Sequence, residues 1–133
     1  MRITADTNIL VRAAVDDAPA QTHRAQEMLR DAEIVALTLP ALCEFVWVAR
    51  SGYHRSPREI VLSLRGLISA ANVVLERAAV EAGLACLDAG GDFADGVIAF
   101  AGRQLGGTVF ASFDRRAVEL IAAAGGEAQL LGG

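Results

Sequence analysis

Four acidic residues stand beside predicted strand ends or near predicted helix starts, where α/β proteins build their sites. Asp6 follows the apolar run "RITA", and Asp114 follows the run "TVFAS" after one intervening residue. Asp95 lies in the first turn of a predicted helix, and Glu44 lies about one turn after Pro40. Ligands of parallel α/β sheets bind beyond the carboxyl ends of the strands. If the helices of Asp95 and Glu44 also start at that edge, the four carboxylates would converge there.

Each of these acids also has a purely structural explanation. Asp92 and Asp95 fit the N-cap and third position of one helix, and Asp114 fits the N-cap of another. Glu44 can favour the positive end of a helix dipole, and Asp6 can cap the helix that follows it. The functional interpretation therefore depends on the joint pattern of acids, not on any one of them.

Carboxylates that share a pocket need a compensating positive charge. Two ionised carboxylates 4 Å apart repel by about 4 kcal/mol at an effective dielectric near 20. The chain contains no lysine, and neither histidine, His23 or His54, lies near the acidic motifs. A hard divalent cation with oxygen ligands, Mg²⁺ or Mn²⁺, is the cofactor that this pattern favours.

The scaffold for these acids is predicted from β-rich runs that alternate with helical patterns, as in βαβ units around a parallel sheet. Strands are predicted at 2–5, 34–37, 72–75, 108–112 and 128–131. Helices are predicted at about 8–16, 19–31, 40–51, 57–70, 78–88, 93–105 and 115–124. Prolines fall near three helix starts and glycines near four helix ends, as helix punctuation requires: Pro19, Pro40, Pro57, Gly52, Gly90, Gly106 and Gly125.

Length and composition predict one ordinary globular domain over residues 1–133. Hydrophobic residues make up 53% of the chain and charged residues 21%. No apolar stretch approaches the roughly 20 residues that cross a bilayer, and no secretory signal is visible, so we expect a cytoplasmic protein. Cys43 and Cys86 lie in apolar helical patterns and are expected to be free, buried thiols.

A net charge of −4 disfavours nucleic-acid binding by bulk electrostatics, so any such role needs a local site. All 12 basic residues are arginines. Arg115 and Arg116 adjoin Asp114 and are the first candidates for phosphate contact; the further candidates are Arg12, Arg50 and Arg103. Aromatic residues are few, and the sequence identifies no base-stacking platform among them.

Four stretches of the chain resemble PIN-domain ribonucleases, and they are most similar to the VapC-type toxins of bacterial toxin–antitoxin pairs. These stretches are "ADTNIL", "LCEFVWV", "DFADGVIA" and "SFDRRA", and the resemblance extends from residue 4 to residue 118. It implies a single PIN domain with a three-layer α/β/α sandwich and a central, mostly parallel sheet. It also implies a metal-dependent endoribonuclease that hydrolyses RNA phosphodiester bonds.

The resemblance assigns the metal site and catalysis to four acids that hold Mg²⁺ or Mn²⁺. Asp6 and Asp95 would anchor the principal ion. Glu44 would orient or deprotonate the attacking water, and Asp114 would complete the outer shell or support a second ion. A metal-bound site of this kind can activate water and neutralise charge on the phosphate oxygens.

Other residues receive supporting roles from the same resemblance. Asn8 and Ser112 would be polar neighbours of the metal centre, whereas Asp92 is interpreted as an N-cap. The apolar stretch "EFVWV", which contains Trp47, is explained mostly by core packing. The resemblance further implies that part of this region, with the helix from Pro57, contacts an antitoxin and that the toxin forms a homodimer.

Three other functions fit the residues less well. Phosphotransfer on an Asp nucleophile would use a lysine, which is missing, and in the phosphatase type a second Asp where Asn8 stands. Dinucleotide binding would need a glycine-rich turn after the first strand, and "ADTNIL" has no glycine. A non-catalytic interaction module with the same fold is the main alternative, but it would have no need for all four acids.

Overall fold

A computed structural model describes residues 1–132 of the chain. Within them, all five predicted strands and all seven predicted helices are present, with bounds within a few residues of those predicted. The strands are β1 (Arg2–Thr4), β2 (Ile34–Leu37), β3 (Val73–Leu75), β4 (Val109–Ser112) and β5 (Glu127–Leu130). The helices are α1 (Thr7–Ala14), α2 (Pro19–Asp31), α3 (Leu39–Ser51), α4 (Pro57–Ile68), α5 (Arg77–Asp88), α6 (Phe93–Gln104) and α7 (Arg115–Ala123).

The chain divides into two compact units, and the division in sequence lies between Glu76 and Arg77. The first unit contains β1 to β3 and α1 to α4, and the second contains α5 to α7 with β4 and β5. Every strand pair in either unit is parallel, as the βαβ pattern predicts.

The first unit is built on a parallel sheet with the strand order β1-β2-β3. Ile3 lies opposite Val35, and Ala36 lies opposite Val74. The amide of Ala5 donates to the carbonyl of Ala36 at 3.1 Å, so the pairing continues past the end of β1. The chain therefore leaves the sheet at its carboxyl edge directly before Asp6.

Three helices each contribute one apolar face to the core of the first unit, next to buried residues of β2 such as Val35. Its fully buried side chains include Leu10 of α1, Leu42 and Val46 of α3, and Ile60 and Leu64 of α4. These residues recur at helical spacing, which is why α1, α3 and α4 can each bury one apolar stripe. The packing between α1 and α3 brings the start of α1 close to the second turn of α3.

The second unit depends on a close contact between α5 and α6. A methyl group on Gly83 would lie 2.7 Å from the ring of Phe93, and one on Gly96 would lie 2.4 Å from the carbonyl oxygen of Ala82. Phe93 itself is fully buried. The absence of side chains at the two glycines therefore allows the approach that fixes the first turn of α6.

Several expectations outside the acidic motifs can also be compared with the structure. Within residues 1–132, neither cysteine forms a disulfide, but only Cys86 is buried, whereas Cys43 is partly exposed. In "EFVWV", Phe45 is buried as expected, but Trp47 is 69% exposed, so core packing is wrong for the tryptophan. It occupies the solvent-facing side of α3. Within residues 1–132, no helix combines the length and apolar character needed to cross a membrane.

Candidate active site

Asp6 occupies the N-cap of α1, immediately after the carboxyl edge of β1. Its Oδ1 accepts a hydrogen bond from the amide of Thr7 at 2.9 Å, and its side chain is exposed. The structure therefore shows the capping role that the sequence allows, with the helix beginning at Thr7 rather than Asn8. A carboxylate has two oxygens, so capping leaves acceptor capacity for another ligand.

Glu44 is linked to the same corner of the first unit by Thr7. The Thr7 hydroxyl donates to Oε2 of Glu44 at 3.2 Å, and Thr7 is only 7% exposed. Glu44 is the sixth residue of α3, so it lies in the second turn rather than the first. Thr7 received no role from the sequence, because nothing in its local pattern predicts a partner 37 residues away.

Asp95 lies in the first turn of α6, as predicted, and its environment disfavours its charge. Burial raises the pKa of the Asp95 carboxyl above its ordinary value, and the nearby carboxylates of Asp92 and Asp114 raise it further. Burial also raises the pKa of the Cys86 thiol, and the charge of Asp95 contributes to that effect. The second unit therefore holds three acids close enough to interact electrostatically.

The other two acids of this unit both cap helices. Asp92 caps α6 by accepting from the amide of Ala94 at 3.3 Å, and Asp114 caps α7 by accepting from the amide of Ala117 at 3.2 Å. The N-cap interpretation is thus correct for both. Ser112 participates as well, because its hydroxyl accepts from the amide of Asp114 at 3.0 Å and closes the turn after β4.

The candidate arginines differ in their surroundings. Arg12 forms an ion pair with Asp17 at 3.0 Å, and the hydroxyl of Tyr53 donates to the same carboxylate. Arg103 lies over the ring of Phe100 at 5.6 Å. Arg115 and Arg116 are both exposed at the start of α7, and Arg116 reaches the carbonyl of Ala89 at 3.5 Å.

The predicted metal ligands fall into two groups, one in each unit. The first contains Asp6 and Glu44, bridged by Thr7, and the second contains Asp95 and Asp114. Taking each unit separately over residues 1–132, no three His, Cys, Asp or Glu side chains are grouped so that they could hold a metal ion. A site that combines all four acids stays a prediction.

The chemistry of the donors nevertheless fits a hard divalent cation. All four predicted ligands are carboxylates, which are the ligands that Mg²⁺ and Mn²⁺ prefer. The raised pKa of Asp95 reflects burial and neighbouring negative charge, and a bound cation would compensate for both. The residues present are therefore suited to the cofactor that the sequence favours.

Comparison with known protein families identifies the family of this chain. A family model described as the PIN domain matches residues 3–123, a range that includes all four acids. A search of curated proteins found no match. The match, together with the seven helices and parallel strands of residues 1–132, confirms the predicted PIN-like α/β fold class. PIN domains are typically nucleases and generally use divalent metals. The chain belongs to the PIN domain family.

Proposed function

We propose that this PIN domain is an endoribonuclease that depends on Mg²⁺ or Mn²⁺ and hydrolyses RNA phosphodiester bonds. The observation that carries the proposal is the family match over residues 3–123, a range that contains all four acids. The proposed ligands are Asp6, Glu44, Asp95 and Asp114. When bound, the metal would activate water and neutralise charge on the phosphate oxygens.

The side chains around these acids support a division of labour. Glu44 is held by the Thr7 hydroxyl, which leaves it positioned to orient water or to accept a proton from it. The surroundings of Asp95 disfavour an uncompensated charge, so we assign it with Asp6 to the principal ion. Asp114 would serve the outer shell or a second ion, with Asn8 and Ser112 as polar neighbours.

The substrate must be attracted locally, because the whole chain carries a charge of −4. Arg115 and Arg116 are exposed next to Asp114, so we propose that they contact the phosphate backbone. Arginine is suited to this role because its planar guanidinium can bind phosphate oxygens in pairs.

Cleavage assays with matched aspartate variants test the nuclease proposal. Purified protein should cleave RNA with Mg²⁺ or Mn²⁺ and stop when EDTA is added. Asp95→Asn and Asp6→Asn should each lower the rate by at least about a hundredfold, the scale of losing one electrostatic group at an active site. Asp31→Asn is the control, because Asp31 is exposed at the end of α2, pairs with Arg30 and lies outside the proposed ligands.

Two results would contradict this proposal. One is cleavage that continues unchanged in EDTA, which would show that the reaction does not need a divalent metal. The other is an Asp6→Asn or Asp95→Asn protein that stays folded, as judged by circular dichroism, and retains full activity. If no RNA is cleaved under any condition, the non-catalytic interaction module becomes the better interpretation.

We further propose that the enzyme is the toxin of a toxin–antitoxin pair and acts in the cytoplasm as a homodimer. Support comes from the resemblance of its four motifs to VapC-type toxins. Two large apolar side chains, Trp47 of α3 and Leu62 of α4, are more than half exposed and are therefore available to contact another protein. A cognate antitoxin is the proposed partner for this part of the chain.

The toxin role is tested by expression in bacteria. Induction should arrest growth, the Asp6→Asn variant should not, and co-expression of a short protein encoded beside the toxin should restore growth. Light scattering of the purified protein should give twice the mass of one chain. Normal growth during strong expression of active nuclease would contradict the toxin role without affecting the nuclease assignment.

A further inference from the structure

Phe113 is the most exposed aromatic side chain within residues 1–132. It is 72% exposed, whereas Phe45 and Phe93 are buried and the remaining phenylalanines are at most partly exposed. Burying a phenylalanine stabilises a protein by about 1.5–3 kcal/mol, and that contribution is largely forgone here. The apolar ring of Phe113 is therefore available to contact a ligand from solvent.

The backbone on both sides of Phe113 is held by local hydrogen bonds. The Ser112 hydroxyl accepts from the amide of Asp114, and the Asp114 carboxylate accepts from the amide of Ala117. These two contacts close the turn between β4 and α7 around Phe113. The ring is thus attached to an ordered turn, one residue from an acid of the proposed active site.

The charges next to Phe113 favour a polyanion that also has a flat apolar surface. Arg115 and Arg116 follow Asp114 and are exposed. Proteins that bind single-stranded nucleic acids combine basic side chains, which follow the backbone, with aromatic rings on which bases stack. The turn from Phe113 to Arg116 presents both components within four residues.

We propose that Phe113 stacks on an unpaired base of the RNA substrate, next to the phosphate that is cleaved, while Arg115 and Arg116 contact neighbouring phosphates. This inference rests on the proposed nuclease function and adds a residue that positions the substrate, Phe113. Every base has a π-face, so stacking on Phe113 selects unpaired over paired nucleotides more strongly than one base over another.

A protein partner fits the same turn less well. The immediate neighbours of Phe113 are polar or charged: Ser112, Asp114, Arg115 and Arg116. One phenylalanine buries at most about 250 Å², whereas a specific protein interface takes about 800 Å² from each partner. The local surface is thus dominated by charge, which suits a nucleotide with its phosphate.

Steady-state kinetics with a set of Phe113 variants test the proposal. With a single-stranded oligoribonucleotide, Phe113→Ala should raise KM by about fivefold to about a hundredfold, the range expected for one base–aromatic stack, and should change kcat less. Phe113→Trp should retain a low KM because it keeps an aromatic face. Phe113→Leu should behave like the alanine variant, because it is apolar but has no such face.

The matched control is Leu105→Ala, which truncates another highly exposed apolar side chain, 89% exposed, at the end of α6. It should leave KM unchanged. Pairing the oligonucleotide with its complement should weaken wild-type binding and reduce the difference between wild type and Phe113→Ala. An unchanged KM in Phe113→Ala, with wild-type cleavage intact, would overturn the inference and leave the nuclease function standing.

A binding measurement separates the two proposals. Trp47 is the only tryptophan, so Trp47→Phe combined with Phe113→Trp and Asp6→Asn gives an inactive protein with one indole at position 113. Its fluorescence should be quenched by single-stranded RNA. Quenching without any cleavage by the wild type would support stacking and reject the nuclease. Unchanged fluorescence at saturating RNA would reject stacking. So would a Phe113→Ala protein whose oligomeric mass shifts while its KM stays unchanged.

Discussion

At the scale of single residues, the acids of this PIN domain combine structural and proposed chemical roles. Asp6 and Asp114 each cap a helix through one hydrogen bond to a backbone amide. Capping fixes the carboxylate at the start of the helix, so the same contact that stabilises the helix also orients the acid. The helix-capping and the metal-binding interpretations of these acids, which the sequence left open, are therefore compatible.

Thr7 offers a test of whether the position of Glu44 matters. Thr7→Val keeps the shape but removes the hydroxyl that donates to Glu44, which should cost about 1 kcal/mol of unfolding free energy. Cleavage should fall by about tenfold to a hundredfold, the scale of losing a residue that orients a ligand. Thr7→Ser should restore most of the activity.

Thr22→Val is the control for this prediction. Thr22 is as buried as Thr7, and its hydroxyl donates to the carbonyl of Val15 at 3.2 Å, away from the acids. Loss of the Thr22 hydroxyl should lower the free energy of unfolding by a similar amount without changing the rate of RNA cleavage. Equal activity in the two valine variants would show that the Thr7 hydroxyl serves folding alone.

Asp95 predicts a specific pH dependence of the metal-free protein. Its folded-state pKa lies above the ordinary value of 3.8, so the unfolded chain releases this proton first as the pH rises. The contribution of Asp95 to stability is therefore greatest below pH 3.8 and is lost as the pH passes through the raised folded value. Asp95→Asn should be more stable relative to wild type at pH 7 than at pH 3.5.

Chemical denaturation of both proteins at the two pH values, in EDTA, measures this difference. Added Mg²⁺ should then raise the Tm of wild type more than that of Asp95→Asn, because a ligand that binds the folded state stabilises it. An identical Mg²⁺ response in the two proteins would count against Asp95 as a ligand.

At the scale of secondary structure, the contact between α5 and α6 positions Asp95. The first turn of α6 can approach α5 because Gly96 presents no side chain to the carbonyl of Ala82. Asp95 is the residue directly before that contact. A change in the spacing of α5 and α6 should therefore shift the Asp95 carboxylate as well as disturb the packing of the core.

Gly96→Ala tests this link between packing and the site. The added methyl would lie 2.4 Å from the Ala82 carbonyl oxygen, so α6 must shift, at a cost of about 1–3 kcal/mol. Cleavage by the folded fraction should also fall. Gly102→Ala in the same helix is the control, because its new methyl would meet nothing within 4 Å beyond its chain neighbours and the backbone of its own helix. This variant should raise the free energy of unfolding by up to about 1 kcal/mol. Thermal unfolding and cleavage rates measure both effects.

At the scale of the whole molecule, charge limits how RNA can be bound. The net charge of −4 and the absence of lysine mean that few cations can meet phosphates at once. Binding to single strands loses affinity with salt at a slope of about −0.7 per neutralised phosphate. We therefore expect the affinity for RNA to depend less steeply on salt concentration than it does in proteins with extensive basic surfaces.

Replacing Arg115 and Arg116 by alanine should make that slope shallower by about 0.7 for each phosphate that is no longer neutralised. Fluorescence anisotropy of labelled RNA with the Asp6→Asn protein, over a range of salt concentrations, measures the slope. Arg24→Ala, which removes an exposed arginine of α2, is the control and should leave the slope unchanged. A double variant with the wild-type slope would exclude these arginines from phosphate binding.

The sequence by itself determined the order of the secondary-structure elements and pointed to the four acids that we propose as ligands. Strand and helix order, the N-caps at Asp92 and Asp114, and the prolines at helix starts follow from signals within a few residues, which local physics makes legible. The four acidic motifs likewise carry the family resemblance on their own, and the family match confirms it at the level of the PIN domain.

Only the tertiary structure decided which side chains meet and which remain in solvent. The bond from Thr7 to Glu44, the burial that raises the pKa of Asp95, and the exposure of Trp47 and Phe113 depend on partners distant in sequence. Local propensity carries no information about such partners. The sequence pattern around an apolar side chain is the same whether tertiary packing buries that side chain or leaves it exposed to a ligand.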